Sequence, residues 1–385
     1  IVVVTVNYRL GIFGFFSHPE LTEESPANAS GNYGLLDQAR ALEWVRANIS
    51  AFGGDPDRVT IAGESAGSIS VSALMASPQS KDLIAGAIGE SGSLLGALPP
   101  QPLAEAEEKG TSFARRVGAE SLADLRAVSS SRLLELSLKP EVGRFPLTVD
   151  GLFFERSPLQ VYESGEQAQV PLLLGWDSEE GNYRSVLGDR AATPENFEEA
   201  VREMYPDHAD RAAELYAADT WLEVIEVGTD LASDRFISQS TWKWSELHRQ
   251  TDQPVYRYYY DQPRPPMKDG KGNDVRGLAG SNPNANRITP PHRAVHAAEI
   301  EYVLGNLETN DVYAWTEADY RVSDYAKSYF ANFVKNADPN GAELPRWPAA
   351  GQENPPSVMH ITPEPEARPA PHRERHLFLD RIRTE

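Results

Sequence analysis

Cysteine is absent from the 385 residues of this chain. Its absence excludes disulfide bonds, a thiolate nucleophile and cysteine-ligated metals, and it leaves the redox compartment open. The sequence also lacks an apolar run long enough to cross a bilayer, and its first residues lack the pattern of a signal peptide. We expect no membrane span, and we assign no cofactor and no metal. The cytoplasm, the periplasm and the cell exterior all remain open as locations.

Positive charge is scarce. Lys and Arg total 36 against 57 Asp and Glu, which gives a formal net charge of −21 at pH 7. Such a balance repels phosphate backbones and anionic lipid surfaces, so nucleic acid is not an expected partner. We interpret the acidic charge as a well-solvated surface. The oligomeric state stays open, with a monomer as one possibility.

The chain opens on the β-branched run IVVVTVN, Ile1–Asn7, which is typical of a strand buried on both faces. Such a strand rarely opens a protein without neighbours, and the first residue is not Met. We therefore expect this chain to be part of a longer protein, with early strands of the sheet and any targeting signal in the preceding segment.

Strand and helix patterns alternate through the rest of the chain. Apolar residues at steps of three and four from Leu35 to Ile49 predict a helix. Further strands are predicted over 58–62, 84–89, 170–176, 254–261 and 376–379, and a long loop over 263–291. This alternation predicts an α/β fold with a mostly parallel sheet. We expect one domain over 1–385, with helical, cap-like insertions at about 99–140 and 194–248.

The pentapeptide GESAG follows the strand predicted over 58–62 and leads into a small-residue helix. This is the setting of a nucleophile elbow, in which Ser65 lies on a sharp turn between strand and helix. We expect Gly63 and Gly67 to be glycines because a Cβ on either would clash across the turn. The N–H of Ala66, at the helix N-terminus, is the expected oxyanion donor.

A serine hydroxyl becomes a good nucleophile only when a neighbouring base removes its proton. In folds with this elbow the acid and then the histidine follow the serine in sequence. That order excludes only His18. The residues alone leave seven candidates, namely His208, His248, His292, His296, His360, His372 and His376.

Several separate segments resemble one known family. They are NYRLGIFGF at 7–15, GNYGLLDQARALEWVRANISAFGGDPDRVTIAGESAGS at 31–68, ESGS at 90–93, VDG at 149–151, DPNG at 338–341 and RWP at 346–348. In these segments, and in their order, the chain resembles the type-B carboxylesterases, which include bacterial p-nitrobenzyl esterases and animal cholinesterases. The resemblance implies an α/β-hydrolase fold, with a central sheet flanked by helices and its early strands missing here.

The resemblance also implies a catalytic acid and a base. The family's acid is the Glu of a DEG-like motif after a strand, and GWDSEEGNY places Glu180 directly before a glycine. Glu179 stands where the family commonly has Asp, so Glu179 and Asp177 remain alternatives. The family's histidine opens an HxxEI segment, which HAAEI at His296 matches and His292 does not. Ser91 of ESGS and Glu64 are expected to support these groups without reacting.

The resemblance implies a serine carboxylester hydrolase acting through an acyl-enzyme on small, aryl or alkyl carboxylic esters, with a small-molecule ester as its partner. The family's HGGG-like loop, which supplies further oxyanion donors, has no counterpart here because no HGG occurs in the chain. Two alternatives remain. One is a non-catalytic cholinesterase-like adhesion or binding protein, and the other is an acyltransferase or amidase with the same three residues.

Overall fold

The computed structural model describes residues 1–96, 99–269, 271, 293–351 and 356–384. Most of the loop predicted over 263–291 lies outside the described residues, and so does His292. The chain divides into two compact units, of which the first comprises Ile1–Ile61, Ser70–Ala85 and Leu98–Val170. The second unit comprises Ala62–Ile69, Gly86–Ala97 and Pro171–Glu385. The single domain with cap-like insertions stays a prediction.

Eight strands are found in the described part of the chain. They are β1 (Thr60–Glu64), β2 (Gly86–Glu90), β3 (Gln101–Pro102), β4 (Thr148–Val149), β5 (Leu172–Asp177), β6 (Val255–Tyr260), β7 (Ser357–Ile361) and β8 (Glu366–Pro369). Strands β1, β2, β5 and β6 confirm the predicted strands to within a few residues, as sequence patterns generally allow.

The helices alternate with these strands. They are α1 (Gly11–Phe15), α2 (Pro19–Glu24), α3 (Tyr33–Asn48), α4 (Ala66–Ala76), α5 (Leu103–Arg116), α6 (Leu122–Ala127), α7 (Ser130–Ser137), α8 (Pro158–Glu163), α9 (Arg184–Leu187), α10 (Pro194–Met204), α11 (Ala209–Leu215), α12 (Trp221–Ser233), α13 (Gln239–His248), α14 (Ile300–Leu304), α15 (Glu317–Asn336) and α16 (Arg373–Thr384). A π-helical turn, Asp234–Ser238, joins α12 to α13. None of the described helices has the length and apolarity that crossing a bilayer requires.

The main sheet has the strand order β1-β2-β5-β6-β7-β8. The pairs β2 with β5, β5 with β6, and β6 with β7 are parallel, and β8 joins antiparallel to β7. This architecture confirms the predicted α/β class with a mostly parallel sheet. Because parallel strands share the edge at which they end, β2 and β5 deliver Glu90 and Asp177 to one edge, where such folds place their ligand and catalytic groups.

Two apolar clusters are formed by described residues of the second unit. In one, strand residues such as Leu173 and Tyr258 pack with Tyr329 and Phe330 of α15. In the other, Phe197 of α10 packs with residues of α12 and α16. Helix α15 begins with a capping box in which Thr316 and Asp319 exchange hydrogen bonds, an arrangement that satisfies donors left free at a helix start. These clusters hold the sheet edge in place.

The first unit has its own core. Ile12 and Phe16 pack against Phe113 and Ala114 of α5. An ion pair between Arg9 and Asp37 joins the start of the chain to α3, with Nη2 to Oδ1 at 2.7 Å and Nε to Oδ2 at 2.8 Å. The helical composition predicted after residue 99 is confirmed by α5, α6 and α7.

Two predicted strands are wrong. Residues 1–6 pair with no strand in the described part of the chain and are exposed along their length, because a β-branched run forms a strand only where a partner completes its ladder. The second is the strand predicted at 376–379, which lies inside α16. Arg375, Phe378, Leu379 and Ile382 repeat at steps of three and four, so a longer helical period outweighs the short apolar run.

Candidate active site

Ser65 lies on the turn between β1 and α4, and its backbone has a φ of 54°. Its N–H donates to the carbonyl oxygen of Glu90 at 2.8 Å, which ties the turn to the end of β2. Its own carbonyl accepts from Ile69 N–H at 3.0 Å, the first turn of the helix. The elbow that the GESAG pattern predicts is therefore present in the backbone.

The two glycines of the elbow are not equivalent. A Cβ added to Gly63 would lie 2.3 Å from the carbonyl carbon of Gly67, far inside contact distance. A Cβ added to Gly67 would meet no atom within 4 Å outside its own helical turn. The expectation that both positions need glycine is thus wrong for Gly67. A Cβ on Gly67 would point away from Gly63 and the strand β1 that carries it.

His296 joins the serine to a carboxylate. Its Nε2 lies 2.9 Å from Ser65 Oγ, and its Nδ1 is hydrogen-bonded to Oε2 of Glu180. The backbone N–H of His296 donates to Glu179 O at 2.9 Å, which fixes the loop that carries the ring. Hydroxyl, imidazole and carboxylate therefore form one continuous series of hydrogen bonds, an arrangement that can activate a serine by proton transfer.

The carboxylate of Glu180 is fully buried. Its other oxygen, Oε1, which does not contact His296, is also hydrogen-bonded. Oε1 accepts the N–H of Asp177 at 2.8 Å and the hydroxyl of Ser91 at 2.5 Å. The hydroxyl oxygen of Ser233 accepts the N–H groups of Glu180 and Gly181, each at 3.1 Å. Ser91 was expected to support the acid, whereas Ser233, 53 residues along the chain from Glu180, has no sequence signal that could have found it.

The neighbouring carboxylates point elsewhere. Glu179 Oε1 accepts from the side-chain amide of Asn182 at 2.9 Å, and Asp177 Oδ2 accepts Ala298 N–H at 3.0 Å. Neither of these hydrogen bonds involves the imidazole. The alternative base, His292, lies outside the described residues.

Positive φ angles cluster in this region. Ser65 and Ser91 both have φ 54°, and Ala297, which directly follows His296, has φ 66°. A residue with a Cβ adopts this left-handed conformation only at an energetic cost. Strained backbone of this kind is concentrated at functional sites, where the surrounding structure enforces it.

Comparison with known proteins agrees with this geometry. A family model described as "Carboxylesterase family" matches residues 1–378. The chain belongs to the carboxylesterase family. It is 32% identical over 385 residues to an acylcarnitine hydrolase of Mus musculus, covering 94% of this chain and 63% of that protein. It is likewise 32% identical to a cocaine esterase of Homo sapiens, covering 94% of this chain and 64% of that protein.

Solved structures in the carboxylesterase family have the same fold. A PNB esterase structure superposes with a TM-score of 0.74 at 27% identity, covering 97% of this chain and 72% of the other. A thermophilic PNB esterase gives a TM-score of 0.73 at 26% identity and the same coverage. The α/β-hydrolase fold that the resemblance implies is therefore confirmed. The chain spans 63% of the length of the acylcarnitine hydrolase.

In this carboxylesterase-family chain a second carboxylate approaches His296. Glu64 Oε1 lies 3.3 Å from His296 Nε2. Burial raises the pKa of Glu64 to about 8, against the opposing effect of the imidazole. Burial of the imidazole lowers its pKa, but the carboxylates of Glu180 and Glu64 outweigh that effect, and the pKa of His296 rises to about 9. Negative charge around the ring thus favours the imidazolium.

Three more acidic side chains are buried nearby, of which the sequence singled out only Asp177, as an alternative acid. Burial, together with the charge of Glu299, raises the pKa of both Glu90 and Asp177 well above the usual range. Burial also raises the pKa of Glu299 to about 7. Glu299 is the acidic residue of the HAAEI segment, so the sequence motif contained it although no role was assigned to it. No group of three or more His, Asp or Glu among the described residues could hold a metal ion.

The approach of Glu64 to His296 predicts a pH effect, if His296 is the residue that accepts the serine proton. Glu64→Gln removes a negative charge that favours the imidazolium, so the pKa of His296 falls. Because a general base must be neutral to accept a proton, ester turnover should then begin to rise at a lower pH than in the parent protein. The measurement is kcat/KM against pH for both proteins. Glu317→Gln, which removes the same charge from the exposed start of α15, should leave the profile in place. The prediction would be contradicted if the pH at which kcat/KM begins to rise were unchanged or higher in Glu64→Gln.

Proposed function

We propose that this chain carries the catalytic centre of a serine carboxylester hydrolase, with Ser65 as nucleophile, His296 as general base and Glu180 as the acid that orients it. The single observation that carries the proposal is the unbroken hydrogen-bonded series from Ser65 Oγ through both imidazole nitrogens to Glu180. Membership of the carboxylesterase family supports the same activity.

The proposed reaction has two halves. In the first, His296 Nε2 removes the proton of Ser65 as Oγ attacks the ester carbonyl, and the same nitrogen then protonates the departing alcohol, which leaves an acyl-serine. In the second, water attacks the acyl carbon, gives its proton to His296, and the serine regains a proton as the acid leaves. Glu180 holds Nδ1–H and stabilises the imidazolium in both halves.

The carbonyl oxygen gains negative charge in each half and needs donors. Ala66 is the first residue of α4, an eleven-residue helix, and directly follows the nucleophile. We assign its N–H as an oxyanion donor, because a helix start directs backbone N–H groups and a positive dipole end at this place. Ser91 and Glu64 act on the reaction through Glu180 and His296, as positioning groups.

We infer that the substrates are small, aryl or alkyl carboxylic esters. The names of the relatives, an acylcarnitine hydrolase and a cocaine esterase, describe hydrolysis of compounds of that class by those proteins. The local surface agrees. Phe236, 54% exposed, presents its ring edge-on to His296 at 5.6 Å between centroids. An apolar ring beside the base suits an aryl or alkyl group of an ester.

The deciding experiment compares an ester and its amide analogue. We expect the protein as its gene encodes it to turn over p-nitrophenyl acetate, to act far more slowly on p-nitroacetanilide, and to lose activity on treatment with a fluorophosphonate. Comparable turnover of the amide would replace the esterase assignment with an amidase. A folded protein that turns over neither compound would overturn the enzymatic proposal in favour of a binding protein.

A further inference from the structure

A cavity of about 150 Å³ lies within the second unit, and neither Ser65 nor His296 lines it. Strand residues Trp176, Arg257 and Tyr259 form part of its wall, and residues of α13 and α16 form another part. Four arginines line it, namely Arg257, Arg293, Arg373 and Arg375. We call this cavity the arginine pocket. In a chain with a net charge of −21, such a concentration of positive charge calls for an explanation.

Two of these arginines are matched by one carboxylate. Asp230 accepts from Arg293 at 2.6 Å and from Arg375 at 2.9 Å. Asp234, another acid of the wall, accepts the hydroxyl of Tyr216 at 2.9 Å. The negative charge of Asp230 is therefore committed to two guanidinium groups and is not available to Arg257.

Arg257 is left without a hydrogen-bonded counter-ion. The nearest carboxylate is that of Glu246, which already binds Arg249 at 2.8 Å and Arg373 at 3.2 Å. Arg257 Nη1 lies 3.6 Å from Glu246 Oε1, beyond hydrogen-bond length. Its side chain is 2% exposed, and its Nε and Nη1 have no hydrogen-bond partner among the described residues. Burial lowers the pKa of Arg257 to about 10, so it remains charged at neutral pH.

A buried, charged guanidinium with two unpaired nitrogens, Nε and Nη1, is costly, because native structures satisfy nearly all such groups. A ligand that pairs with these nitrogens would supply negative charge and acceptor oxygens. A carboxylate supplies both in the planar form that guanidinium groups bind well. A metal cation is excluded by the sign of the charge around it.

The remaining wall is aromatic. The guanidinium of Arg257 lies 5.8 Å from the ring centre of Trp176. The ring of His376 stacks on Trp242 at 5.5 Å and meets Trp176 edge-on at 5.6 Å. Burial lowers the pKa of His376 to about 3, which keeps that ring uncharged. Flat apolar surfaces next to a cation suit an organic anion with an apolar body better than a small hydrated inorganic ion.

We propose that the arginine pocket binds a small organic carboxylate, with Arg257 as its counter-ion and Trp176 and Trp242 against its apolar part. This binding site is separate from the proposed function and requires no turnover. The acids released by ester hydrolysis belong to the same chemical class. Asp177 and Ser178 also line the pocket. An anion bound there would therefore contact the segment that leads directly into Glu180.

The test is a calorimetric titration of the full chain with benzoate, and parallel titrations with benzamide, chloride and inorganic phosphate. Benzoate should bind saturably at one site that needs Arg257, and benzamide, its uncharged counterpart, should bind at least tenfold more weakly. Arg257→Met should weaken benzoate binding at least tenfold. Arg321→Met, which removes the same charge from an exposed position of α15, should leave the dissociation constant within about twofold.

A second variant guards against misfolding of Arg257→Met. Ala370→Phe keeps every charge but places a ring in the pocket, which Ala370 lines, and it should also abolish the binding. No binding of benzoate to the parent protein would overturn the proposal. So would binding that survives these variants, equal binding of benzamide, or equally tight binding of chloride or phosphate. If Arg257→Met does not fold, the result with Ala370→Phe decides.

Discussion

Ester turnover should fall by at least about a thousandfold when Ser65 is replaced by alanine, because the atom that forms the acyl-enzyme is removed. The rest of the site, including the hydrogen bond between His296 and Glu180, would stay in place. The measurement is kcat/KM for p-nitrophenyl acetate in the protein as its gene encodes it. A fluorophosphonate should label Ser65 in the parent protein, and mass spectrometry of the labelled peptide identifies the residue.

Ser91→Ala is the matched control for that experiment. It removes a hydroxyl from the same site, but one that donates to Glu180 at 2.5 Å and not to the base. We expect a loss of about ten- to hundredfold, the rate equivalent of the roughly 1.5–3 kcal/mol of one hydrogen bond to a charged group. Retention of more than a tenth of the activity by Ser65→Ala, or labelling of a different serine, would remove Ser65 from the role of nucleophile.

Replacing Glu180 with glutamine should cost about ten-thousandfold in kcat, the loss found when the acid of a serine triad becomes an amide. The hydrogen bonds explain the size of the effect. Oε1 of a glutamine would still accept from Asp177 N–H and Ser91, which directs its NH₂ group at His296 Nδ1. The imidazole would then carry its proton on Nε2, the nitrogen that must accept the proton of Ser65.

Glu179→Gln separates the two adjacent carboxylates. The side chain of Glu179 accepts from Asn182 at 2.9 Å, so its replacement should leave kcat within about threefold, as for most substitutions outside the reacting groups. Kinetics of the two variants on one ester, with thermal melts to verify folding, complete the comparison. A larger loss in Glu179→Gln than in Glu180→Gln would show that the acid is misassigned.

Local sequence patterns predicted most of the architecture. Strand β1 and helix α4 could be read because a sharp turn needs glycine at Gly63 and because strand and helix have different apolar periods. The run at residues 1–6 was misread because strand formation depends on a partner elsewhere in the chain. Helix α16 was misread because the three apolar residues Leu377 to Leu379 outweighed a longer helical period in that interpretation.

The candidate site divides in the same way. Ser65 could be singled out from a pentapeptide and its flanking elements, whereas His296 was one of seven candidates until family resemblance selected it. Contacts such as Ser233 to Glu180, or Arg375 to Asp230, join segments that lie far apart in sequence. No local pattern encodes them, because they arise only when the sheet brings distant segments together.

Three of the six non-glycine residues with positive φ in the described chain are Ser65, Ser91 and Ala297. Each such conformation costs on the order of 1–3 kcal/mol, a large share of the stability of an ordinary domain. The same left-handed backbone conformations that position the site therefore lower the free energy of unfolding. A laboratory selection on melting temperature alone would favour glycine at these positions, and at Ser65 it would discard the hydroxyl. Ala297 contributes no reacting group, so glycine there offers a way to gain heat resistance without that loss.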